Sequence, residues 1–91
     1  MDNNKIAMAK YKCPCCGFLT LDEQPPGTFE ICPVCYWEDD LVQYNDPNYE
    51  GGANQISLKQ ARANFKEFGA CCKEFIERVR APLDSEVEKQ T

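Results

Sequence analysis

Seven cysteines stand among the 91 residues, and four of them fall into two pairs. Cys13-Pro14-Cys15-Cys16-Gly17 carries the first pair and Cys32-Pro33-Val34-Cys35 the second. Skipping Cys15, the pattern is C-x2-C, fifteen residues, C-x2-C. Two thiolates three positions apart can point at one ion while the backbone between them folds back toward the sulfurs. Two such pairs at this separation read as a four-thiolate zinc site. Pro14 and Pro33 fix φ just after the first cysteine of each pair. Gly17 supplies a permissive backbone position where the first turn closes. One structural Zn2+ suits a closed tetrahedral thiolate cage. Iron is the alternative ion for the same cage.

Cys15, Cys71 and Cys72 are surplus to such a cage. Cys71 and Cys72 lie where cysteine packs as a small apolar residue. Adjacent cysteines on a helix point about 100° apart and do not bridge easily. One of the pair standing in as a ligand remains open, and so does a redox role for Cys15 with Cys71 or Cys72. The chain has no histidine. No Ser, Cys or Lys sits in a nucleophile motif, and no glycine-rich loop leads into a helix to cradle phosphate. Four cysteines also close the open position that a catalytic zinc needs. The expectation is a protein that is not an enzyme, with no catalytic residues.

Net charge is −5, unevenly spread. From Cys13 through Leu58 there is no Lys or Arg, while Asp22, Glu23, Glu30, Glu38, Asp39, Asp40, Asp46 and Glu50 all fall there. A nucleic-acid face needs cations that replace counterions, so the cysteine region is not expected to bind nucleic acid. An acidic surface suits a basic protein partner, or simply solubility. Trp37, Glu38, Asp39 and Asp40 follow the second cysteine pair and are the candidate partner contact. Trp37 also has the size to shield the metal site from water.

The elements that must position these residues are few. The length allows one domain, with little core of its own, and a metal is a common remedy. Residues 1–10 read as a flexible N-terminus, 11–82 as a single cysteine-rich zinc-binding domain, and 83–91 as a disordered tail. Tyr11-Lys12 and Phe18–Leu21 are β-prone. Thr28–Ile31 alternates, with Phe29 and Ile31 on one face. Leu41–Tyr44 is a short apolar run, either helical turn or edge strand. Ser57 with Gln60 predicts a capping box. Leu58, Ala61, Phe65, Phe68, Cys72, Phe75 and Val79 then draw one stripe at alternating steps of three and four. Pro82 ends it near Arg80. The expected fold is α+β: a small zinc-ribbon-like β-hairpin with two metal knuckles, packed on one long C-terminal amphipathic helix. The hairpin face would be Phe18, Leu21, Phe29, Ile31 and Trp37. No segment has the length and apolarity of a membrane span. The start lacks the apolar core of a signal peptide. An odd number of cysteines also argues against a disulfide framework, so the chain is expected in the reducing cytoplasm.

The strings CPCCGFLTLDE, GTFEICPVCYWEDD and DPNYEGGANQISLKQARANF, in that order, resemble the bacterial cysteine-rich CPCC family. The resemblance covers roughly residues 11 to 82. The halves also look like zinc-ribbon and rubredoxin-like knuckles, except that Tyr36 stands where the second would have glycine. What the resemblance implies is a zinc cage from Cys13, Cys16, Cys32 and Cys35. Whether Cys15 substitutes for Cys16 stays open. The functional expectation is a non-catalytic, zinc-stabilised protein-binding domain. Its partner would be a basic, nuclease-like toxin, held as by an immunity protein. A rubredoxin-like metal or redox module, or a thiol sensor, is the competing expectation.

Overall fold

A computed structural model of the chain describes residues 10–88. Of the expected flexible stretch 1–10, residues 1–9 lie outside it, as do the last three residues of the chain. Two strands pair antiparallel, β1 (Tyr11–Lys12) with β2 (Leu19–Leu21). Tyr11 faces Leu21 and Lys12 faces Leu19, so Thr20 is an extra residue on β2. A bulge of this kind re-aims a side chain. Here it leaves Thr20 buried, facing the second cysteine pair.

Thr28–Ile31 forms no second strand of length. One isolated bridge joins Ile31 to Glu38, flanked by bonds from the Cys32 amide to the Trp37 carbonyl and from the Asp39 amide to the Glu30 carbonyl. Phe29 and Ile31 were expected beneath the helix. They are instead 61% and 47% exposed. The backbone explains Phe29: its φ is +62°, which breaks the strand alternation.

The 41–44 run is helical. α1 (Leu41–Asn45) is capped by Asp40, whose side chain accepts from the Gln43 amide. α1 buries one residue, the polar Gln43. The Gln43 amide nitrogen donates to the carbonyls of Tyr49, Asn54 and Ile56. Its oxygen accepts from the backbone and side chain of Asn54. One side chain thus organises the whole 49–56 loop, whose carbonyls have no strand to pair with.

α2 (Leu58–Phe68) starts as predicted but ends early. Ser57 accepts from the Gln60 amide. The Gln60 side chain goes forward to Asn64, so only half of the capping box forms. The long C-terminal helix does not exist. Gly69 takes φ +85° and its amide bonds the Phe65 carbonyl, a left-handed glycine cap. The chain then turns so that the Cys71 amide reaches the Cys35 carbonyl at 2.7 Å. A 3-10 helix, Lys73–Arg78, follows. The stripe of the sequence therefore divides between two elements.

Of the expected disordered tail 83–91, residues 83–88 are described. A 3-10 turn, Asp84–Glu86, packs against β2. Glu86 is buried, and both its oxygens accept from the Arg80 guanidinium at 2.9 and 2.8 Å. Lys12 on β1 pairs with Glu88 at 2.7 Å. The core is small: Leu21, Val34, Trp37, Leu58 and Ala61 pack with five cysteines. Phe18 meets Phe65 edge to face, 6.2 Å between centroids. Among the described residues, no helix is long and apolar enough to cross a membrane.

Candidate metal centre

The two cysteine turns are built alike. The Cys13 amide donates to the Phe18 carbonyl, and the Cys32 amide to the Trp37 carbonyl. Gly17 N–H returns to Cys13 C=O at 2.9 Å, and Tyr36 N–H to Cys32 C=O at 2.8 Å. Each turn also aims an amide at its first sulfur: Cys15 N–H to Cys13 Sγ at 3.4 Å, Val34 N–H to Cys32 Sγ at 3.3 Å. Gly17 closes the first turn at φ +83° and Tyr36 the second at φ +72°. The second knuckle thus keeps the shape without the glycine. A non-glycine residue there is strained. The Tyr36 ring packs on Phe75, with centroids 4.5 Å apart.

Together the knuckles bring the sulfurs of Cys13, Cys16, Cys32 and Cys35 within 4.8 Å of one another. Cys13 Sγ lies 3.6 Å from Cys35 Sγ, and Cys16 Sγ 3.6 Å from Cys32 Sγ. A tetrahedron with metal–sulfur bonds of about 2.3 Å has edges of about 3.8 Å. Three of the four residues are buried, and Cys16 is half-buried. The donor set and its spacing fit a thiophilic divalent ion.

Electrostatics argue the same way. Hydrogen bonds from Cys13, then Cys16 and Cys35, hold the Cys32 thiol far below its ordinary value, with help from Thr20. Cys13 is pushed up by its contacts with Cys16 and Cys32, and Cys35 by its contact with Cys13. One thiolate is stabilised at the others' expense, because four negative sulfurs cannot share this volume unaided. A dication reverses that logic and deprotonates its thiol ligands. The Thr20 hydroxyl, 3.1 Å from Cys32 Sγ, is the donor toward a thiolate. Nothing in the cysteine spacing points to Thr20; only the bulge brings it there.

Cys15, Cys71 and Cys72 stand outside the four-sulfur group. Cys15 contributes its amide, while its side chain is buried in the core near Cys71. Cys71 and Cys72 have sulfurs 3.9 Å apart. Burial pushes both thiols up, which makes them poor nucleophiles. All seven cysteines are free.

Three of the four residues of the expected partner contact are buried. Trp37 is 1% exposed and lies in the core with the cysteines. Asp39 is fully buried and accepts from the amide and hydroxyl of Thr28. Asp40 is buried too. Burial pushes its carboxyl up, but the amides of Gln43 and Ala53 outweigh that and hold it below the usual value. Only Glu38 retains a half-exposed side chain.

Two knuckles facing each other across four cysteines, on a two-stranded sheet and short helices, define a small cysteine-cluster α+β domain. The chain belongs to the cysteine-rich CPCC family, whose model matches residues 11–86. A comparison with curated proteins returns no match.

Proposed function

We infer that the chain is a zinc-stabilised, non-catalytic domain that acts by binding another protein. One observation carries the metal and non-catalytic parts of this reading: four largely buried sulfurs are gathered within 4.8 Å by two matched turns. Four thiolates complete tetrahedral zinc, which leaves no place for a substrate. A core this small needs what the ion supplies, about 10–16 kcal/mol of apparent binding energy in small zinc domains. Seven free cysteines suit the reducing cytoplasm. An immunity-type inhibitor of a basic toxin needs an exposed acidic edge. With Trp37, Asp39 and Asp40 committed to the interior, that specific role has no support from these residues.

Native mass spectrometry with elemental analysis, on protein purified without added metal, tests the metal. The expected result is one zinc per chain, lost together with the fold on chelation. An intact fold without metal overturns the reading. A rubredoxin-like iron module is the second reading, favoured by the paired amide-to-sulfur bonds, which tune potential at iron–thiolate centres. It predicts a coloured protein with one iron.

A further inference from the structure

We propose that the groove between the second knuckle and the start of the Lys73–Arg78 helix receives a basic side chain from an extended segment of a protein partner. This deepens the protein-binding reading above and rests on it. The groove holds about 420 Å3, within the range of specific ligand sites. Its walls are apolar and aromatic: Ile31, Ile56, Phe68, and the packed pair Tyr36 and Phe75. Strain at Tyr36 fixes one wall, because the left-handed backbone of the knuckle sets where that ring emerges.

The polar groups that remain choose the occupant. Asn54, Asn64 and Gln55 also line the groove; the asparagine side chains are already bonded to the Glu38 carbonyl and Gln43, and to the Cys71 carbonyl and Gln60, and Gln55 is an exposed neutral amide. Glu38 and Glu74 are different. Among the described residues, neither carboxylate has an ion-pair or hydrogen-bond partner, and both line the groove, against a single cation, Lys73. The surrounding segment from Cys13 to Leu58 has no basic residue at all. A guanidinium suits such a place: its plane stacks on aromatic faces and its fork meets carboxylates. Aliphatic walls beside it take a neighbouring apolar side chain. The occupant is thus a short basic–apolar stretch of polypeptide, and a phosphate or nucleic acid is disfavoured by the same charges.

The test titrates nitrogen-labelled, zinc-loaded full chain with N-acetyl-leucyl-arginine amide and with its neutral citrulline isostere. Saturable amide shifts confined to Ile31, Gln55, Phe75 and their neighbours are expected. Citrulline should bind at least about tenfold more weakly, the loss expected for removing one charged contact. Glu38→Gln with Glu74→Gln should reduce the arginine peptide to the citrulline level while one zinc per chain is retained. Absent shifts, equal shifts for both peptides, or shifts outside the groove overturn the proposal. Groove shifts in a folded, zinc-free chain would support it and overturn the metal reading instead. Zinc-loaded protein without shifts does the reverse.

Discussion

Gly17 and Tyr36 occupy the same place in two turns of the same shape. Around Gly17 an added Cβ meets nothing within 4 Å, so Gly17→Ala isolates backbone strain. It should cost about 1 kcal/mol in denaturant unfolding of the zinc-loaded protein, with zinc content unchanged. At Tyr36 the comparison is between replacements. Both Tyr36→Gly and Tyr36→Ala lose the Phe75 contact, but only alanine keeps the strain. The glycine variant should be the more stable by about 1 kcal/mol. Equal stabilities would mean the second knuckle tolerates its backbone without cost. Single residues were legible where their chemistry is local. The cysteine spacing names the four sulfurs that the structure gathers, because a knuckle is a short-range object. Asp39 and Asp40 were misplaced for the opposite reason. Asp39 Oδ2 is held by Thr28 eleven residues away while its Oδ1 is buried with no partner among the described residues, and Asp40 caps Gln43 locally but also accepts from distant Ala53, so neither burial shows in sequence.

Elements end where backbone geometry overrides pattern. The apolar stripe runs through Gly69 without a break, and so implies one helix to Arg80. The glycine cap and the bond from Cys71 to Cys35 stop it at Phe68. A glycine inside a helical pattern signals a possible cap, but the tether to the second knuckle has no signature in sequence. α1 shows the converse. Its exposed Leu41, Val42 and Tyr44 suggest a packing element, yet its buried contribution is a single amide. Gln43→Leu keeps much of the volume and strips the donor from three loop carbonyls. At about 1 kcal/mol or more for each unsatisfied group, a loss of at least about 3 kcal/mol is expected. Thermal or denaturant unfolding measures it. A loss below about 1 kcal/mol would show that the 49–56 loop finds water instead.

At the scale of the molecule, charge closes the fold as well as decorating it. The Arg80 guanidinium holds the Glu86 carboxyl below its usual value. A lowered carboxylate stabilises above the unfolded value of about 4.3, and that contribution disappears as pH falls through the folded one. Glu86→Gln should therefore lower stability near neutrality, by less than a fully buried charge pair would because water screens the half-exposed Arg80. The gap between the two proteins should narrow as the solution is acidified below pH 4. A gap independent of pH would make the pair a matter of shape alone. The segment carrying this pair is mostly polar, with Leu83 and Val87 exposed, so composition gives little reason for it to pack. The two-pronged match of one arginine to one carboxylate across six positions holds its 3-10 turn to residue 80. The Lys12–Glu88 pair adds a last consequence. The described chain leaves β1 and comes back to it, so its two ends lie side by side and the polypeptide traces a nearly closed ring. The described chain enters and leaves at the same corner. Domains so arranged are inserted into a host loop, or rejoined head to tail, with little disturbance to their interior.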